Sequence, residues 1–111
     1  METIERYRDI VQELLEGYAA IPYPQKDFER ELIVDRERDR YLLLTLGWDG
    51  SHRVYGVIFH LDIRDGKIWI QSNNTDTELA PKLVRAGVLR EHIVIGLISP
   101  DARADTDYAV G

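Results

Sequence analysis

Two Asp-Gly pairs, Asp49-Gly50 and Asp65-Gly66, stand between runs rich in Leu, Ile, Val and Tyr, and they constrain the fold more than any other feature. Both central residues of a type I′ turn need positive φ, and that turn twists the way paired strands do, so Asp-Gly between alternating runs predicts a hairpin. Strands are therefore expected near Arg40–Trp48, His52–Arg64 and Lys67–Ser72, with another near Phe28–Asp35 ahead of them. The charged loop Arg36-Glu37-Arg38-Asp39 leaves the first hairpin's register open, since it admits an even or an odd length.

Taken as two-residue loops, the turns set the pairing. Asp65-Gly66 puts Ile63 opposite Ile68 and Leu61 opposite Ile70. Asp49-Gly50 puts Leu46 opposite Arg53, Leu44 opposite Tyr55 and Leu42 opposite Val57. Directly opposed side chains share a face. One face then carries Leu42, Leu44, Leu46, Tyr55, Val57, Phe59, Leu61, Ile63, Ile68 and Ile70, which helices must cover. The other carries Tyr41, Leu43, Thr45, Val54, Gly56, Ile58, His60, Asp62, Trp69 and Gln71, apolar at one end and polar at the other.

Ile4, Tyr7, Val11, Leu14, Leu15 and Tyr18 recur every three or four residues, the stripe of an amphipathic helix. Ile21-Pro22-Tyr23-Pro24 ends it, because each proline removes an N–H and pushes its predecessor toward extended geometry. Thr75 and Glu78 have capping-box spacing. Pro81 tolerates only a first-turn position, which moves the second helix's start to about Glu78–Ala80, and Gly87 stops it. Ile93–Ile98 reads as extended from its β-branched content, and a polar tail follows with a Tyr108-Ala109-Val110 anchor. The expected fold is α+β: an N-terminal helix, a four-stranded antiparallel meander, a second short helix and a C-terminal extended segment, with both helices on one face.

At 111 residues the chain is expected to form one domain, residues 1–111. It has no cysteine, which suits a reducing compartment. No apolar run approaches the roughly 20 residues that span a bilayer, and residues 1–18 are rich in Glu and Arg where a secretory signal is apolar. A cytoplasmic, soluble protein is expected. Its 20 acidic and 14 basic side chains give a net charge of −6. DNA affinity comes mainly from neutralising phosphates with Lys and Arg, so strong autonomous nucleic-acid binding is not expected.

No phosphate loop, nucleophile elbow or zinc motif is present, and His52, His60 and His92 lack ligand spacing. No cofactor or metal is expected. The strongest local constellation is His60-Leu61-Asp62 beside Trp69 and Gln71. A histidine next to a carboxylate can bind a metal or move a proton, but a polar cluster at a sheet surface or subunit interface accounts for it with fewer convergent groups. Trp48 suits core packing at a sheet end better than a contact role. Arg36–Arg40 mixes both signs, as a solvated hairpin tip does. Arg103 is read as pinning the tail in a salt bridge rather than binding an anion.

Gly47-Trp48-Asp49, Arg53-Val54-Tyr55-Gly56 and His60-Leu61-Asp62-Ile63-Arg64-Asp65-Gly66-Lys67-Ile68-Trp69-Ile70-Gln71 together resemble the XisI-like family, the fdxN element excision controlling factors of cyanobacteria. The likeness runs on through Thr75-Asp76, Ala86-Gly87-Val88, Ile93-Val94, Ser99-Pro100 with Arg103, and Thr106-Asp107-Tyr108-Ala109-Val110, and Tyr7-Arg8 and Tyr18 match ahead of them. It departs at Pro81, where the family has a helix-compatible polar residue, and at Leu89-Arg90-Glu91-His92, which replaces a Pro-Lys-Glu-Asp turn.

The resemblance implies a non-enzymatic accessory protein in DNA rearrangement during heterocyst differentiation. Its implied partners are a XisH-like companion protein and, through it, a site-specific recombinase complex. No catalytic residue carries over. The expected contact surface is the second sheet face, around Trp69, Ile58, His60, Asp62 and Gln71, buried in a homo-oligomer or against the companion. Trp48, Asp49 and Arg103 are further family-motif positions. The competing expectation is a small enzyme or ligand binder that uses His60, Asp62, Trp69 and Gln71.

Overall fold

Ile4, Tyr7, Val11 and Leu15 form the inner side of α1 (Glu2–Ala19) in a computed structural model that describes residues 2–111. Val11 and Leu15 are wholly buried, each contributing about 1.5–3 kcal/mol by leaving water. Four antiparallel strands follow in sequence order: β1 (Phe28–Asp35), β2 (Arg40–Asp49), β3 (His52–Arg64) and β4 (Lys67–Asn73). Next come α2 (Leu79–Ala86), a 3-10 turn (Arg90–His92), β5 (Ile93–Val94) and α3 (Pro100–Arg103). The meander is as expected. The count of strands is five rather than four, because Ile93–Val94 pairs parallel with Ile68 and Trp69 at the β4 edge. The tail anchor also holds: Ala109 donates its N–H to Ile93 O at 2.8 Å and bridges Val94.

The Asp65-Gly66 turn behaves as its residues dictate. Both have positive φ, 51° and 78°, and Leu61 pairs with Ile70 and Ile63 with Ile68. The other turn differs. Its loop is Gly50-Ser51, with Gly50 at φ 62° and Asp49 pairing with His52. Glycine at positive φ in the first central position is the requirement of a type II′ turn. Leu46 therefore faces Tyr55 and Leu44 faces Val57, two residues from the expected register.

A two-residue shift preserves the face, but a β-bulge does not. Leu44 pairs with Val57 while Leu43 pairs with Phe59, so Ile58 is an extra residue on β3. Beyond the bulge Tyr41 stands opposite Leu61 and Leu42 opposite His60. Tyr41 and Leu43, not Leu42, Leu44 and Leu46, lie beneath the helices. A second bulge inserts Gln71 between Ile70, opposite Leu61, and Ser72, opposite His60. The expected face assignment thus fails for Leu42, Leu44, Leu46, Tyr55 and Val57 and, in the other direction, for Tyr41, Leu43, Thr45, Val54 and Gly56, and holds for Phe59, Leu61, Ile63, Ile68 and Ile70.

One buried cluster joins Tyr41, Leu43, Phe59, Leu61, Ile63, Ile68 and Ile70 to α1 and to Leu79, Ala80 and Leu83 of α2. Both long helices therefore cover the same sheet face. Leu79 opens α2 and Pro81 falls in its first turn, where the missing N–H has no intrahelical partner to lose. Gly87 closes it at φ 116°, its N–H reaching Val84 O while Val88 N–H reaches Leu83 O. Thr75 takes no part in capping α2; it accepts from Thr77 N and bonds Asn73 instead.

The charged β1–β2 loop is not a solvated tip. Asp39 receives Arg8 through Nε at 2.8 Å and a second nitrogen at 3.2 Å, and the Tyr41 hydroxyl at 3.2 Å. Arg36 reaches Gln12 and Asp9 on α1 at 3.0 and 3.1 Å. The loop clamps α1 onto the sheet, while Glu37 and Arg38 stand out into solvent. Burial, with the Asp39 carboxylate close by, pushes the Tyr41 hydroxyl pKa up to about 12.

Candidate functional site

The helices leave the opposite sheet face open. Along its centre runs an apolar stripe that alternation places there: Leu42, Leu44 and Leu46 on β2, Tyr55 and Val57 on β3, Ile33 on β1. Tyr55 is 66% exposed, Trp48 49% and Ile33 41%, while Leu44 between them is buried; exposed apolar side chains gathered on one face are a feature of association sites. Arg53 lies over both Trp48 and Tyr55, 5.2 and 6.0 Å from their ring centres. Trp48 is thus a surface residue, against the expectation of core packing, and Asp49 stands exposed at the turn.

At the other end of the face Asp62 is the one buried charged side chain among the described residues, 1% exposed. Its two oxygens are fully engaged. Oδ1 accepts from His60 Nε2 at 2.9 Å and lies 3.8 Å from Arg40 Nε. Oδ2 accepts from Arg64 at 3.0 Å and from the bulged Gln71 Nε2 at 3.2 Å. Burying a carboxylate is tolerable only with such pairing. The arrangement thus compensates a buried charge with three hydrogen bonds and a nearby guanidinium. No group of three His, Cys, Asp or Glu among the described residues has metal-holding geometry. His92 lies elsewhere, its Nδ1 2.7 Å from the Tyr7 hydroxyl.

Trp69 is half-buried on the same face, with Arg64 and Arg103 5.7 and 5.2 Å from its ring. Arg103 pins the tail as expected, but by donating to the Ile95 and Gly96 carbonyls at 3.3 and 3.2 Å rather than through a salt bridge. Gly96 permits the approach, since a Cβ there would lie 2.8 Å from Gln71 Oε1 and 3.1 Å from Trp69 Cε3. The C-terminal segment therefore covers the β4 edge of the open face.

Of the expected contact residues, the fold brings His60, Asp62, Trp69 and Gln71 together on the open face. Ile58 does not join them; as the bulge residue it packs against the core cluster. The apolar stripe was missed. Its signal is the unbroken run Tyr41-Leu42-Leu43-Leu44, which has a side chain for each face and so announces that both are apolar. No helix is long and apolar enough to cross a membrane among the described residues.

The family model for XisI protein matches residues 1–110. The crystal structure of a XisI-like protein from Anabaena variabilis superposes with a TM-score of 0.92 at 44% identity, covering 97% of this chain and 99% of that one. That of fdxN element excision controlling factor XisI from Anabaena variabilis superposes with a TM-score of 0.86 at 34% identity, covering 98% and 99%. No curated protein matches the chain.

Proposed function

The chain belongs to the XisI family, and we propose that it serves as a non-enzymatic accessory factor for DNA excision or rearrangement, working through protein contact with a XisH-like companion. The observation that carries this reading is the half-apolar sheet face away from the helices, where exposed Tyr55, Trp48 and Ile33 flank the partly buried Leu42 and Leu46. Asp62, the one buried charged side chain among the described residues, accepts three hydrogen bonds from its neighbours, which favours a structural hub over a catalyst. The match to a solved excision controlling factor supplies the process. A net charge of −6 favours recruitment to DNA through a partner over direct phosphate contact.

Tagged protein drawn from native cell extract is expected to bring down a companion identified by mass spectrometry, and Leu46→Arg to lose it. In fluorescence anisotropy the isolated protein is expected to bind a recombination-site duplex no tighter than the roughly 10⁻⁴–10⁻⁶ M of nonspecific binding at physiological salt. Sub-micromolar, sequence-dependent binding without a partner would overturn the indirect route to DNA.

A further inference from the structure

We propose that a notch in the sheet edge, beside Arg53 to Val57, takes an extended segment of a partner protein as an added strand, with a large apolar side chain of that segment seated over Gly56 and carboxylates beside it; this rests on reading this end of the sheet as a protein-contact surface. β3 is longer than the strand beside it. Asn73, the last residue of β4, pairs with Phe59, so His52 to Ile58 has β2 on one side and no strand on the other. Asp49 and His52 close the hairpin across its two-residue loop. Alternation then turns the N–H and C=O of Val54 and Gly56 toward β2, and those of Arg53, Tyr55 and Val57 outward. Val57 O receives Asn74 Nδ2 at 2.7 Å. The backbone groups of Arg53 and Tyr55 have no partner among the described residues. The other free edge, β1, is guarded by Glu29, Arg30 and Glu31 in succession, a device that keeps edges from pairing. Arg53-Val54-Tyr55-Gly56-Val57-Ile58 carries no acid, lysine or proline. It is a template for strand addition, in which main-chain bonds give affinity and pockets for alternate side chains give specificity.

The side-chain pocket adjoins this edge. Gly56 stands in one cross-strand row with Thr45 and Arg30, and a Cβ on it would meet nothing within 4 Å. A cleft of about 360 Å³ opens there, between Tyr23, Arg30 and Thr45 on one side and Val54, Asn74 and Thr75 on the other. In an antiparallel added strand the residue opposite Gly56 occupies a non-hydrogen-bonded site, where side chains approach most closely. Its side chain projects over the glycine into the cleft, as an aromatic covers an edge glycine. Arg30 is the one charged residue lining the cleft. It lies 3.8 Å from the Tyr23 ring centre and donates to Ile21 O. Arg53, exposed at the outer end of the notch, donates to Gly47 O at 3.4 Å. Neither guanidinium pairs with a carboxylate among the described residues. In a chain of net charge −6, two such cations at one notch select a segment whose apolar residue is flanked by carboxylates and disfavour a basic one.

A phage-displayed library of random octapeptides, selected on the full chain, is expected to yield sequences that share one large apolar residue with acidic residues beside it. Synthetic peptides of those sequences are expected to slow hydrogen exchange at the Arg53 and Tyr55 amides, the mark of new main-chain bonds. Gly56→Val fills the floor of the cleft at a position with room for a side chain and suits a strand. It is expected to fold as the wild type does and to weaken the peptides about tenfold or more, the scale of one displaced apolar side chain. Arg30→Gln is expected to weaken them about threefold. The proposal is overturned by a selection that enriches nothing or enriches basic sequences, by peptides that bind Gly56→Val or Arg30→Gln as well as the wild type, or by Arg53 and Tyr55 amides that keep exchanging fast. A doubled mass in light scattering, with those amides protected before any peptide is added, would assign the notch to a second copy and overturn it too. The stripe reading fails separately, if Leu46→Arg captures the companion as well as the wild type does.

Discussion

Leu61→Ala is expected to lower the free energy of unfolding by about 2–5 kcal/mol. Leu61 is wholly buried, faces Ile70 on β4 and Tyr41 on β2, and belongs to the cluster that α1 and α2 cover. Removing its isobutyl group forfeits transfer free energy and leaves a void between strands whose backbone hydrogen bonds resist collapse. Urea denaturation with an unchanged m-value isolates the effect as a loss of stability. A change below about 1 kcal/mol would mean that the sheet centre is not packed as described.

Asp62→Ala is expected to cost about 2–4 kcal/mol, because truncating one member of a buried charge network strands the others. His60, Arg64 and Gln71 all direct donors at this carboxylate. Arg64 and Arg40 are about half exposed, at 49% and 45%, so water rescues part of their charge and keeps the loss near the lower end. The Gln71 amide, at the second bulge, is less exposed than either arginine and is rescued less. Denaturation measured beside His60→Ala separates the hub from its spokes: His60→Ala is expected to cost under about 1.5 kcal/mol, the scale of one hydrogen bond. Equal losses for the two variants would contradict a hub centred on Asp62.

The parts of the fold that were legible in the sequence are those fixed by local chemistry. Asp65-Gly66 sets its own hairpin, Pro81 and Gly87 bracket α2, and the stripe through Tyr7, Val11 and Leu15 sets the buried side of α1. The face of β2 was not legible. Tyr41 to Leu44 has no alternation, so only pairing with β3 decides which side chains turn inward, and the pairing passes through a bulge at Ile58. An inserted residue flips every neighbour beyond it, yet Ile58 differs in no visible way from the residues beside it. Gln71 is the same case on β4. The His60, Asp62, Trp69 and Gln71 cluster was legible because it lies near the turn whose register was right. The apolar stripe, which depends on the bulge, was not.

The central claim is that the apolar stripe of the open sheet face, and not the polar cluster at its end, carries the proposed accessory role. An excision assay on the relevant DNA element, run with Leu46→Arg and His60→Ala side by side at equal protein levels, tests it most directly. The account predicts that Leu46→Arg abolishes excision and companion capture together, while His60→Ala retains both. Excision lost in His60→Ala and kept in Leu46→Arg would contradict it, and would place the function in the Asp62 cluster.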